Sequence, residues 1–532
     1  MVALLLGVPT LLFLVTRKRD SHAKSEEKLL KLPLIGDLHS SPIDKPLLHW
    51  DAWAKEKGPI ATPKLFGIVP IVVLNSYDAT TELFSRRSQW YSNRPPSVSM
   101  EMITNAGPGK SKFTLMHDYD ADLKLHHRIL TPSLGPVAAP HYQPLMELES
   151  KQLLFDLVSA VHQSKDGIIS TSTVYPLLER TQASVILALH YGLRIPHFEE
   201  KILHEIIDMQ KQVTHLAANP GLPDFIPPLR HLPAFLSPWK RSATKLYAAQ
   251  VDLYTRLLEH GRDSPGWNAT KQAITTAQKH AKAGIIPDVD LAFTLATSIQ
   301  GGMETSPRQI LWLFVAMLQN PSFVRRAHEL MDAVVGRDRL PRFEDRQHLT
   351  FIDAVVHELF RWRPVSPGSI PRRADREDEL NGVKIIKNAT VIANAWGVGR
   401  DEQVFDPSLG DPQEFVPERW LVKDEATGEE RLRHELPLAV FGQGRRICQG
   451  KRIAIDGTFM QVANLLWAFD VEPTEEVNPW SMVVVGFMTV PKEFRFKLKP
   501  RAPWVEEVIV KAWTEADTSL DKVMGTTKDV EM

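Results

Sequence analysis

Long stretches of the chain repeat apolar residues at intervals of three and four: Met146 to Val161, Leu177 to Tyr191, Ile202 to Leu216, Ala243 to Leu258 and Leu291 to Leu318. That spacing predicts amphipathic helices packed around a shared core. Period-two alternation is confined to Pro70 to Leu74 and to Gly382 to Ala393, where two short β-prone runs meet around Lys387 and Asn388. The expected fold class is mainly α with small β-sheets. No repeat, low-complexity linker or clean boundary interrupts residues 20–500, so one enlarged domain is expected there.

The ends read differently. Met1 to Thr16 is almost wholly apolar and runs into Arg17-Lys18-Arg19, which makes residues 1–19 an expected membrane anchor with a basic flank. The run falls short of the about 20 residues that span a bilayer, and Pro9 interrupts it, so a tilted or partly interfacial insertion is expected. A cleaved secretory signal fits less well, because no basic segment precedes the run and no small-residue cleavage pattern follows it. The basic flank belongs on the cytosolic side, which places the rest of the chain in the cytosol. Leu32-Pro33-Leu34-Ile35-Gly36 forms a stiff lead into the globule. Between Asn219 and Lys240 six prolines alternate with large apolar residues, either as a loop tucked against the core or as a surface dipping into a membrane. Residues 501–532 are polar and read as a loosely attached tail.

Composition narrows the chemistry by exclusion. Hydrophobic residues make up 43% and charged residues 24% of the 532, ordinary values for a globular protein. A net charge of −1 offers nothing to attract nucleic acid. The single cysteine, Cys448, excludes an internal disulfide and any zinc site built on several thiolates, and it fits a reducing compartment.

A lone cysteine is ordinarily a small buried apolar residue, but the neighbours of Cys448 point elsewhere. In Phe441-Gly442-Gln443-Gly444-Arg445-Arg446-Ile447-Cys448-Gln449-Gly450 the glycines let the backbone turn tightly around the sulfur and aim amides at it. The helical period Ile455, Phe459, Val462, Leu466 and Phe469 follows, so Cys448 stands near a helix N-terminus, where amides and dipole favour a thiolate. Phe441 would shield the sulfur, and Arg446 supplies a cation for a nearby carboxylate. A nucleophilic thiol is the rival role, but no His/Asn arrangement near Cys448 supports it.

This segment resembles the cysteine loop of the cytochrome P450 family, F-x-x-G-x-R-x-C-x-G, at every defined position. The resemblance implies a triangular, haem-enclosing single domain. It also implies that Cys448 is the axial ligand of the iron of haem b, that Arg446 meets a haem propionate, and that Phe441, Gly442 and Gly450 shape the cofactor pocket. Thiolate ligation favours O–O cleavage. Two further segments match the family. Glu358-Leu-Phe-Arg361 lies in a helical run that is apolar on several sides, and Phe415-Val-Pro417-Glu418-Arg419-Trp420 precedes the cysteine loop. By the resemblance Glu358, Arg361 and Arg419 form a buried ion-pair network under that loop.

Gly301-Gly302-Met303-Glu304-Thr305-Ser306-Pro307 falls inside the longest helical period and predicts a weakened turn. An acid beside a hydroxyl at an opened turn suits a proton relay to bound oxygen. The segment resembles the family's A/G-G-x-D/E-T-T/S motif, which gives Thr305 the contact with iron-bound dioxygen and Glu304 a part in proton delivery. Arg372, in Ile370-Pro371-Arg372, stands where the family places a further propionate ligand. Residues 122–128 occupy the place of the family's W-R-x-x-R helix, with Leu123 for the tryptophan and Lys124 and His127 at the arginine positions; these two are the remaining propionate candidates.

The resemblance further implies O2 as co-substrate, a small organic substrate, electrons from an NADPH reductase, and an endoplasmic reticulum membrane location of the eukaryotic microsomal kind, in the style of fungal specialised metabolism. Arg445, Lys451 and Arg452 are candidates for reductase docking. Substrate contacts are expected from Ser97 to Phe113, Phe293 to Gly301, Val365 to Ile370 and Val484 to Met488, which favour an apolar, aromatic or polyketide-like compound. Two alternatives stand beside this reading: a thiolate-haem isomerase or dehydratase, which needs no Glu304-Thr305 relay, and a non-catalytic haem sensor, which predicts no NADPH-dependent turnover.

Overall fold

The computed structural model describes residues 46–525 apart from 66–68, 108, 220, 280–285 and 426–427. The expected anchor lies outside the described residues. Among the described residues no helix is long and apolar enough to cross a membrane.

The long apolar periods become helices, Leu291 to Leu318 as two, and further helices form beside them. In chain order these are α1 (Ala121–Leu134), α2 (Gln143–Gln163), α3 (Thr171–Tyr191), α4 (Lys201–Ala218) and α5 (Pro238–Asp263), followed by α6 (Asp288–Gly302), α7 (Thr305–Gln319), α8 (Thr350–Trp362) and α9 (Lys451–Ala468). One apolar core joins α2, α3, α6, α7, α8 and α9, with Trp312, Trp420 and Trp467 fully buried in it. The sequence period running through Leu291 to Leu318 is split. α6 stops at Gly302 and α7 starts at Thr305, with Met303 and Glu304 between them. Gly302 allows the break to approach α3, since a Cβ there would lie 2.8 Å from Ile186 Cδ1.

The sheet is small and sits to one side with its own apolar cluster. β1 (Ile60–Ala61) pairs antiparallel with β2 (Val69–Leu74), which pairs parallel with the strand at Thr390–Ala393, Ile71 opposite Thr390. Arg372–Arg373 completes this row, Arg372 opposite Val391. The two β-prone runs around Lys387 and Asn388 do not pair with each other. Val383–Ile385 pairs instead with Asp378–Leu380. Asn388, at φ 66°, turns the chain, and its amide donates to the Ala374 carbonyl.

One expectation is corrected. Pro503–Thr514, inside the segment expected to be a loose polar tail, is a helix, α10, whose Val505 and Ile509 are fully buried. Their i, i+4 spacing puts both on the face turned to the core. The proline-rich segment, read either as a tucked loop or as a membrane-facing surface, forms short turns, Pro227–His231 and Ala234–Leu236, in which Phe235 is 76% and Leu236 56% exposed while Leu229 and Leu232 are half-buried.

Candidate functional site

A cavity of about 300 Å³ opens between the α6–α7 break, α1, α3, the segment 365–372 and the cysteine loop, and its lining is mostly apolar. Cys448 lines it, together with Phe441, Gly442, Arg446 and Gly450. The sulfur-bearing residue is exposed, but to this interior space, since protein surrounds it on its other sides. The Cys448 amide donates to the Phe441 carbonyl at 2.8 Å, which closes the loop. Gly442 (φ 68°) and Gly444 (φ 60°) make the turn, and at Gly444 a Cβ would fall 1.9 Å from the Phe84 carbonyl oxygen, so only glycine fits. Phe441 packs edge-on against Phe360 at 4.9 Å between centroids. Burial pushes the Cys448 thiol up, while the Gly450 amide and the Lys451 ammonium pull it down. The amides therefore act on the sulfur as expected, but burial outweighs them.

Three guanidiniums line the same cavity: Arg94, Arg372 and Arg446. Their hydrogen bonds go to carbonyls. Arg446 donates to Ser92 O at 2.7 Å, to Thr114 O and to His117 O; Arg372 donates to Gln443 O at 2.6 Å. Arg94 donates to Leu115, Ile370 and Pro371 carbonyls, each at 2.8 Å. Burial, then mutual repulsion, lowers Arg372 to about 9 and takes Arg94 well below its ordinary value. Burial also lowers Arg446 to about 10, with Asp118, Tyr119 and Asp120 opposing it. His127 joins the cavity lining and is lowered to about 4 by burial and then by Arg446. The result is a buried positive cluster facing an apolar space, and a dianion would relieve its repulsion.

Below it, the Glu358 carboxylate is saturated. Arg361 grips both oxygens at 2.6 Å, Arg419 Nε donates at 3.1 Å, the Trp420 indole at 2.9 Å and the Val416 amide at 2.8 Å. Arg361 spends its remaining N–H groups on Gly399, Pro412 and Glu414 carbonyls. Burial alone would raise Glu358; Arg361, Arg419 and the amide overcome it and leave the carboxyl below its ordinary value.

Thr305 lines the cavity, and its hydroxyl donates to Gly301 O at 2.9 Å across the helix break. At Gly301 a Cβ would meet nothing, so the turn is open toward the space. Glu304 is not among the lining residues. It is buried and paired with Arg308 at 2.8 Å, facing α3.

Some expected residues lie away from the cavity. Lys124 is exposed, rests its ammonium 5.4 Å above the Tyr119 ring and does not line the cavity; it stands one turn before His127, further from the space. No described residue from Ser97 to Phe113 lines the cavity; Thr114 and Leu115, just beyond, do. Thr297, Ser298, Gly301, Val365, Ser366, Ser369, Ile370 and Phe487 come from the other expected segments. Sequence reasoning missed Arg94, whose only local signal is an arginine before Pro95-Pro96, and the indole of Trp420.

The cytochrome P450 family model matches residues 28–498, and the chain belongs to that family. It is a P450 monooxygenase, an oxidoreductase that incorporates molecular oxygen. Relatives include cytochrome P450 monooxygenase aneD of Aspergillus aculeatus, 33% identical over 93% of this chain and 91% of its own length. Cytochrome P450 monooxygenase peniB of Penicillium patulum is 28% identical over 88% of this chain and 84% of its own. A solved zebra fish cytochrome P450 with progesterone superposes with a TM-score of 0.70, covering 86% of this chain and 99% of that one at 23% identity.

The family binds haem, and the residues present fit it. A flat apolar ring carrying two carboxylates matches an apolar space with three unneutralised guanidiniums, and Gly301 and Gly450, at which a Cβ would meet no atom, leave room along the lining.

Proposed function

We propose that the chain inserts one atom of O2 into a small, mainly apolar organic substrate in fungal secondary metabolism, with Cys448 Sγ as the group that would ligate the iron of haem b and electrons delivered from NADPH by a reductase. The observation that carries this reading is the sole thiol of the chain opening onto the same apolar space as Arg94, Arg372 and Arg446. Those guanidiniums would hold the propionates by charge-assisted hydrogen bonds. Bound haem supplies oxygen activation; the protein binds, orients and excludes water.

Phe441 and the cysteine loop keep solvent from the sulfur. Thr305, at the open turn, holds a hydroxyl proton in reach of the cavity, and Glu304 stands next to it in sequence as the acid that restores it. Thr297, Ser298, Val365, Ile370 and Phe487 orient the substrate. Arg445, Lys451 and Arg452 surround the loop and offer a cationic face to the reductase. The exposed Ile226, Phe235 and Leu236 and the N-terminal apolar run favour attachment to the endoplasmic reticulum membrane, catalytic domain in the cytosol.

The reduced, CO-bound absorption spectrum tests this reading. The wild-type protein is expected to give the long-wavelength Soret band of thiolate ligation, and Cys448→Ser to lose it. A wild-type spectrum of the imidazole-ligated kind overturns it.

A further inference from the structure

The acid beside Thr305 belongs to a larger cluster. Along α3, Tyr175, Glu179, Gln182 and Ile186 fall on one stripe at helical spacing, and the last two line the cavity. The outer two face the α6–α7 break. The Tyr175 hydroxyl donates to Glu179 Oε1 at 3.0 Å, and the Arg308 guanidinium lies 5.0 Å over the Tyr175 ring. Arg308 pairs with Glu304 at 2.8 Å, while its buried Nε has no acceptor. Glu304 is 5% and Glu179 6% exposed. Two buried carboxylates therefore attend one guanidinium that has a free N–H edge.

Charge balance decides what such a cluster holds. Two ionised carboxylates in low dielectric with one cation leave a net buried negative charge, which a bound proton removes. Burial is the first cause that raises the Glu179 carboxyl, with Glu304 adding to it and Tyr175, Arg308 and Lys211 of α4 opposing it. Lys211 itself is largely exposed, so it marks the side of the cluster open to solvent.

We propose that Glu179 is the outer proton station of this enzyme, passing a proton to Glu304 as Arg308 changes carboxylate partners. The inference rests on the monooxygenase reading above. In the transfer the O–H bond of Glu179 breaks and one forms on Glu304. Arg308 releases Glu304 and takes the new Glu179 carboxylate on its free Nε edge. The total charge of the cluster is unchanged, and neutral Glu304 is then free to turn toward Thr305. Glu179 regains a proton from solvent past Tyr175. Arg308 and Tyr175 are positioning residues.

Infrared pH titration of the full-length protein reads the shared proton directly. The carbonyl stretch of a protonated carboxyl is expected in the wild type at pH values where ordinary carboxylates are ionised. Glu179→Gln and Glu304→Gln should each remove one component of it, since the remaining acid then pairs with Arg308 alone, while the half-buried Asp156, raised to about 6, keeps its own. Tyr175→Phe should shift the frequency of the Glu179 component without abolishing it. With reductase, NADPH and no added organic substrate, Glu179→Gln should slow NADPH consumption on the order of tenfold and raise the solvent deuterium effect, and Glu179→Asp should restore most of it. A wild-type band that survives unchanged in Glu179→Gln overturns the proposal, as does unaltered NADPH consumption. If the CO-bound spectrum of that variant is still of the thiolate kind, the monooxygenase reading stands apart from this failure.

Discussion

Two groups of arginines, one around Glu358 and one lining the cavity, are built on opposite terms. Around Glu358 the charges are closed: Arg361 and Arg419 meet one carboxylate, and every other contact is a carbonyl, an indole or an amide. Around the cavity the charges are open: Arg94, Arg372 and Arg446 take backbone carbonyls, and repulsion among them adds to burial in depressing Arg94 and Arg372. A saturated network holds a fold, whereas a buried excess of one sign awaits a ligand of the other.

The largest break in that comparison comes from the closed side. Glu358→Gln leaves Arg361 and Arg419 buried without their anion, a loss of about 3–5 kcal/mol. Thermal unfolding should show a protein that scarcely folds or retains haem. On the open side the sign should reverse before cofactor is added. Arg446→Leu removes one of three like charges, so the haem-free protein should be as stable as wild type or more so. Its haem affinity, measured by titration, should fall roughly 10- to 100-fold, the equivalent of about 1.5–3 kcal/mol for a charge-assisted hydrogen bond.

A smaller, pH-dependent effect sharpens the contrast. His126, His127, His190 and His328 are each lowered to about 4, with burial the first cause. Unfolded histidines take protons near 6.5, so the folded state binds fewer protons between those values. Stability should be complete above pH 6.5 and decline as pH falls toward 4. Haem propionates beside His127 would raise its folded value, so the melting temperature of the haem-loaded protein should fall less over that window than that of the haem-free protein. Lys124→Ala should do least, changing stability by no more than about 0.5 kcal/mol and haem affinity not measurably.

What the sequence made legible follows the same division. Helices α2 to α9 were readable because their apolar residues recur at threes and fours, even where, as in α3, α7 and α9, burial extends around the whole helix, and the cysteine loop because its glycines, arginine and sulfur are contiguous. Glu358, Arg361 and Arg419 were readable through the family motifs, though nothing local in Glu358-Leu-Phe-Arg361 distinguishes a buried pair from a solvated one. Arg94 was not readable, since it reaches the cavity only after Leu115, Ile370 and Pro371 are folded around it. Lys124 misled because it occupies a motif position without the tryptophan that the family places beside it, and Leu123 turns inward instead. The tail misled because its polar far end masked an apolar start: Val505 and Ile509 are buried in the core, and Trp504, Val508 and Ala512 pack against it.

Iron X-ray absorption on the haem-loaded protein tests the assignment of Cys448 most directly. One sulfur scatterer at thiolate distance is expected in the wild type and none in Cys448→Ser. A wild-type iron surrounded only by nitrogen and oxygen, or a sulfur that persists in the variant, would contradict it.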